Sequence, residues 1–251
     1  MTSNERVAVW ITGASKGIGS ALARSVPFAD ADVVNVSRSA GASGVEHLQA
    51  DLAKPSDWLV VERHLRERLG QGDYDRAILI HCAGMLAPMG FTGTVDTEAY
   101  AANVLLNSAA PQVLGHMFLG AVREAGCRGE LLQITSDAAT NTFLGWTGYC
   151  AGKAAVDQWV RVAGAEHAEL GTDCRILAVH PGVVETQMQE EIRATSADRF
   201  PAVDAFVALH DEGKLLSPEE SARGIWGLFD LDLPTVTLAD PRELGLVSQV
   251  L

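Results

Sequence analysis

The stretch Thr12-Gly13-Ala14-Ser15-Lys16-Gly17-Ile18-Gly19 constrains this chain more than any other. The run before it, Arg6–Thr12, reads as a strand, and the residues after it read as a helix to about Val26. Glycines in such a turn adopt positive φ, bring the backbone close to a pyrophosphate, and set that charge against a helix N-terminus. Three glycines in a turn are common. Between the first strand and first helix of an alternating chain they predict a bound dinucleotide, held by Gly13, Ser15, Lys16, Gly17, Ile18 and Gly19.

The alternation continues to the far end. Strands are predicted at 32–37, 45–50, 77–82, 131–135, 174–180 and 235–238. Helices are predicted over 57–69, 97–125 and 147–170, and a last one starts at Ser217-Pro218-Glu219-Glu220, where Ser217 caps and Glu220 closes a capping box. No repeat, low-complexity tract or linker divides residues 1–251. Strands joined by helices imply parallel crossovers, so the fold class is α/β: a single-domain, doubly wound parallel sheet with helices on both faces. Ligands of such a sheet sit at the carboxyl ends of its strands.

Composition removes several function classes. With 32 acidic and 19 basic side chains the chain carries a formal charge of −13, which argues against nucleic acid and against an anionic membrane surface. Cys82, Cys127, Cys150 and Cys174 form no CxxC pair and the histidines no HExxH, so no metal site is expected. Reduced thiols and an opening that lacks a leader point to a cytoplasmic protein. Residues 99–122 lack charge and are long enough to span a bilayer, but Asn103, Asn107, Pro111, Gln112 and His116 would be costly in lipid. A buried helix is expected there.

The second strand ends Val36-Ser37-Arg38. A carboxylate at that point would hold a ribose 2′-hydroxyl and favour NAD. Here Ser37 replaces it, with Arg38 beside it and Lys16 in the turn; such cations suit the 2′-phosphate of NADP. Asp51 and Leu52, just past the third strand, are placed to meet the adenine.

Tyr149 and Lys153 stand one helical turn apart. A phenol with pKa ~10 is a poor proton carrier at neutral pH. An ammonium at ~4 Å, with an effective dielectric of ~20, would favour the phenolate by about 4 kcal/mol, or ~3 pKa units. Ser136, at the end of the preceding strand, could hydrogen-bond a substrate carbonyl and the phenol together.

In this order, TGASKGIG (12–19), HCAG (81–84), ITS (134–136), YCAGK (149–153) and HPGVVET (180–186) resemble the short-chain dehydrogenase/reductase family over almost the whole chain. The resemblance implies a Rossmann-like domain, a nicotinamide cofactor and an Asn–Ser–Tyr–Lys tetrad. It further implies that Lys153 binds the nicotinamide ribose, that Cys82, Ala83 and Gly84 flank the cofactor, and that Pro181, Gly182, Val184 and Thr186 line the nicotinamide. The family's asparagine offers a main-chain carbonyl freed by a helix distortion. Pro111 cannot donate to the carbonyl four residues earlier, which selects Asn107 over Asn103. One departure is His81-Cys82 where the family usually has Asn-Asn. The loss is expected to weaken a link between neighbouring strands, with His81 a satisfied core residue.

Within the family, GWTGYCAGKAA (145–155) and EGKLLSPEESA (212–222) are similar to the sepiapterin reductase and benzil reductase group. This implies reduction of a vicinal dicarbonyl or pterin side-chain ketone by NADPH, with a substrate loop or lid at about 187–216. Phe143, Leu144, Trp146 and Met188 are the expected pocket walls. The same site run backwards would oxidise an alcohol, and a cofactor-binding sensor that performs no chemistry is the competing reading. Pairing through apolar stretches around 99–122 and 154–165 is expected to give a homodimer or homotetramer.

Overall fold

The computed structural model describes residues 5–234 and 236–247. The opening Met1–Asn4, expected to carry no leader, lies outside them, as does Thr235, the expected start of the last strand. Seven strands, β1 (Arg6–Thr12), β2 (Asp30–Ser37), β3 (Glu46–Gln49), β4 (Arg76–His81), β5 (Arg128–Ile134), β6 (Cys174–Val179) and β7 (Val236–Ala239), form one sheet in the order β3-β2-β1-β4-β5-β6-β7. Every neighbouring pair is parallel.

Alternation along β1 explains why both faces are covered. Val7, Val9 and Ile11 enter one apolar cluster with Leu22, Ile225 and Trp226, from α1 (Gly17–Arg24) and α8 (Pro218–Gly227). Ala8 and Trp10 enter the other with Leu65, Leu114, Phe118 and Val160. These come from α2 (Pro55–Gln71), α4 (Ala110–Ala125) and α5 (Thr147–Glu169). A strand with period-2 side chains buried on both sides needs helices on both sides. β4 is buried at all six positions, as its unbroken apolarity predicts.

The capping box of α8 forms as expected: Ser217 Oγ accepts from Glu220 N at 3.2 Å, and the Glu220 carboxylate accepts from Ser217 N at 2.8 Å. The single helix expected over 97–125 is interrupted. It runs as α3 (Thr97–Val104), a π turn (Leu105–Ala109) and α4, with Pro111 in the first turn of α4. No helix among the described residues is long and apolar enough to cross a membrane. The expected substrate loop at 187–216 is in part helical, with two short helices, α6 (Gln187–Arg193) and α7 (Val203–Asp211). Its ends meet, because Val184 and Leu216 form an isolated parallel bridge.

Strand order reverses between β1 and β4, which opens a crevice at their carboxyl ends. Gly13, Cys82 and His180 directly follow β1, β4 and β6, and Ser136 stands two residues past β5.

Candidate active site

Backbone contacts shape the glycine turn. Gly13 has φ +69° and lies so close to the tail of β4 that an added Cβ would stand 3.0 Å from Ala83 Cα. Thr12 Oγ1 accepts from Ala83 N at 3.0 Å and fixes the same approach. A Cβ on Gly19 would stand 2.6 Å from Gly13 O, so the first turn of α1 folds directly onto the loop before it. The N-terminus of α1 has no side-chain cap and no acidic residue in its first turn. Its N–H donors remain available for an anion, with Ser15, Gly17 and Ile18 half-buried around them.

The cations expected near a 2′-phosphate part company. Arg38 is exposed past the end of β2 and makes no ion pair among the described residues. The Lys16 ammonium instead donates to Gln187 Oε1 at 2.5 Å, at the start of α6. Ser37 is buried and its hydroxyl donates to Ser39 O at 2.6 Å. Asp51 closes a local turn, accepting from Ala53 N at 3.2 Å and facing Lys54 Nζ at 3.6 Å. At Leu52 the side chain is buried in the core and the carbonyl accepts from the Trp58 indole at 2.9 Å, so its main-chain N–H is the group left to meet an adenine.

Ser136, Tyr149 and Lys153 come together at the end of β5. Ser136 caps a short 3-10 turn (Asp137–Ala139), with Oγ accepting from Ala138 N at 3.2 Å, and it shares the cavity wall with Tyr149. Lys153 Nζ lies 5.6 Å from the Tyr149 ring centroid and donates to Ile134 O at 2.7 Å. The expected depression of the phenol is not found. Burial pushes Tyr149 up to about 12, with the Ser136 hydroxyl acting against it. Burial likewise pushes Lys153 down to about 8. With the ammonium committed to a carbonyl of β5, desolvation of the buried phenol decides the direction.

Asn107 sits within the π turn. Its side chain is fully engaged: Nδ2 donates to Met85 O at 2.8 Å and to Asn103 Oδ1 at 3.0 Å, and Oδ1 accepts from Met85 N at 3.1 Å. Asn103 Nδ2 donates to the carbonyls of Met85, Leu86 and Ala87. Both asparagines thus hold the chain that follows Gly84. The Asn107 main chain faces Gly152, one residue before Lys153, where a Cβ would approach Asn107 O to 3.2 Å.

A cavity of about 400 Å³ opens beside these groups. Cys82, Gly84, Pro181, Gly182, Val184, Thr186 and Ile18 line it together with Ser136, Tyr149 and Lys153. Phe143, Trp146 and Met188 line it as expected. Leu144 does not: it is 56% exposed and borders a separate surface groove, because Gly145 turns the chain with φ +90° between it and Trp146. Sequence reasoning missed Gln189, Ile192, Phe206 and Leu209, which α6 and α7 bring to the wall. The spacing Phe200, Val203, Phe206, Val207 was the available signal, since all four pack in one cluster with Trp146.

His81 is also corrected. It is 2% exposed, yet neither ring nitrogen makes a well-formed hydrogen bond. Burial, then the Lys153 charge, push it down to about 3, so the ring is neutral. Cys82, at the cavity edge, is pushed up to about 12 by burial and stays a thiol.

Residues 7–197 match the family model described as short chain dehydrogenase. The chain is 32% identical over 234 residues to a benzil reductase ((S)-benzoin forming) of Bacillus cereus, covering 89% of this chain and 94% of that one. It is 29% identical over 243 residues to a sepiapterin reductase of Meriones unguiculatus, covering 88% and 90%. A crystal structure of a short chain dehydrogenase/reductase from Saccharomyces cerevisiae superposes with a TM-score of 0.81 at 22% identity, over 96% of this chain and 98% of that chain. Fold, family match and relatives agree, and the chain belongs to the short-chain dehydrogenase/reductase family of NAD(P)-dependent oxidoreductases.

Proposed function

We propose that this enzyme is an NADPH-dependent carbonyl reductase whose substrate is a vicinal dicarbonyl or a pterin side-chain ketone. One observation carries the reading: the hydroxyls of Ser136 and Tyr149 and the ammonium of Lys153 line one apolar cavity. The residues fit a nicotinamide dinucleotide. The uncapped N-terminus of α1 suits its pyrophosphate, and Cys82, Ala83, Gly84, Pro181, Gly182, Val184 and Thr186 stand where its reactive end would lie. Ser37 in place of a carboxylate, with the unpaired Arg38 beside it, supports NADP over NAD.

A bound nicotinamide supplies the hydride. Tyr149 donates its proton to the carbonyl oxygen as the carbon is reduced, so the ketone gains one hydride and one proton and leaves as an alcohol. Ser136 hydrogen-bonds that oxygen and polarises the carbonyl. Lys153 holds a proton at Nζ near the phenol and binds the nicotinamide ribose. Asn107, its side chain locked on Met85, presents a main-chain carbonyl that anchors a water and resupplies protons. A phenol raised to about 12 is protonated in the resting site, which favours reduction over alcohol oxidation.

The substrate class is supported by the walls. Phe143, Trp146 and Phe206 make mutual ring contacts of 5.0–6.1 Å and enclose an apolar space suited to an aryl or pterin group. The names of the benzil and sepiapterin reductases support the same class. The α6–α7 segment over 187–216 acts as the lid. Val104 and Val162, 40% and 47% exposed on α3 and α5, support a homodimer or homotetramer.

Tyr149→Phe tests the assignment. The variant should bind NADPH as before and lose about a thousand-fold in turnover of an aryl diketone, followed by loss of reduced-nicotinamide absorbance. Full activity in that variant would remove Tyr149 as the acid.

A further inference from the structure

Behind the Ser136–Tyr149–Lys153 group stands a set of charges that the proposed reaction does not use. Asp157 lies one helical turn past Lys153 on α5 and is 2% exposed. Its Oδ1 accepts from Thr135 Oγ1 at 2.5 Å. Its Oδ2 has no hydrogen-bond partner and faces His180 Nε2 at 3.9 Å. The other His180 nitrogen, Nδ1, stands 3.2 Å from Asp137 Oδ1, next to Ser136. One imidazole therefore links the ends of β5 and β6 to α5.

Lys153 is 5% exposed, and its hydrogen bond goes to the neutral carbonyl of Ile134. A buried ammonium needs a counter-charge or it gives up its proton. The groups around it are unequal to that task. On β4 and its tail, His81 is neutral and Cys82 is a thiol. On α5, Tyr149 is protonated. Beyond β6 and β7, His180 is a cation, and Asp240 is paired with Arg242 at 2.5 Å. Asp137, beyond β5, is turned to His180. Asp157 supplies negative charge on the lysine's own helix, at the spacing where side chains are neighbours.

Given the reading that Lys153 works as an ammonium, we propose that Asp157 is a positioning residue: the counter-ion that keeps Lys153 charged, held in place by Thr135 and His180. Burial drives the lysine down to about 8, and Cys82 and then Asp157 act against that fall; Cys82, itself pushed up to about 12, is an uncharged thiol at working pH, which leaves the carboxylate. Replacing the carboxylate by a neutral group removes the opposition, and the lysine deprotonates at lower pH.

The chain has four lysines, Lys16, Lys54, Lys153 and Lys214, so carbon-13 labelling of the lysine side chains gives a spectrum that one variant, Lys153→Arg, assigns. In the cofactor-free wild type the Lys153 ε-carbon should titrate near 8. In Asp157→Asn its midpoint should fall by about one pH unit, and the high-pH limb of kcat/KM should move down with it. Asp157→Ser removes the same charge from a smaller side chain and serves if the amide variant does not fold. An unmoved Lys153 midpoint in either variant overturns the proposal whatever the activity. The titration needs no turnover, so failure of the reductase reading, seen as an inactive wild type or a fully active Tyr149→Phe, is a separate result.

Discussion

Phe200 lies flat against Trp146, with ring centroids 4.4 Å apart and planes 1° from parallel. Phe200 is fully buried although it stands between two short helices near the surface. The stack anchors the 187–216 segment over the cavity that Trp146 lines. Phe200→Ala should cost about 3–5 kcal/mol of stability, read by urea unfolding, and should raise KM for an aryl ketone more than it lowers kcat. Phe200→Leu should restore most of the stability but not the KM.

The two cations at the cofactor end are expected to behave differently. Arg38→Ala should weaken NADPH binding about ten- to hundred-fold and leave NADH nearly unchanged, the loss expected of one charge-assisted hydrogen bond. Lys16→Ala should weaken both cofactors alike, because its ammonium meets Gln187 on α6 and not Arg38. Calorimetric titration of both reduced cofactors checks this; equal losses for Arg38→Ala would refute the 2′-phosphate contact.

His180 makes stability depend on pH with a definite sign. Its hydrogen bond to Asp137 and then the nearby carboxylate of Asp157, 3.9 Å away, raise it from 6.5 to about 9. A group raised on folding stabilises fully below its unfolded value and loses that contribution as pH climbs through its folded value. The stability gap between wild type and His180→Gln should therefore be widest below about pH 6.5 and narrow progressively up to about pH 9. Urea midpoints measured across that range decide it, and a gap that widens toward alkaline pH would contradict the pairing.

Gly152→Ala probes the contact between α5 and the π turn. The added methyl would stand 2.8 Å from Asn107 Cβ, a distance the two elements cannot absorb without moving apart. A loss of about 1–3 kcal/mol is expected in thermal unfolding, with a larger fall in activity than Ala151→Ser produces.

These cases show what could be read from the chain beforehand. The turn at 12–19, the strand of β4 and the box at Ser217–Glu220 were legible because local pattern and local chemistry decide them. Pro111 was enough to place a distortion at Asn107, since a missing N–H is a property of one residue. The helices α6 and α7 were not legible: they are short, and rings contributed from 143–146 hold them. The spacing of Tyr149 and Lys153 was correct, but the direction of the ammonium depends on Ile134, nineteen residues earlier in another element. Leu144 was misplaced for a similar reason, because sequence position said nothing of which way the side chain faces.

Main chain meets main chain where Gly13 rests on Ala83 and Gly19 on Gly13. At those two contacts there is no side chain to exchange, so the joint itself tolerates little change. New selectivity must arise on the opposite rim, where rings from 143–146 and 200–206 can be exchanged without disturbing the joint.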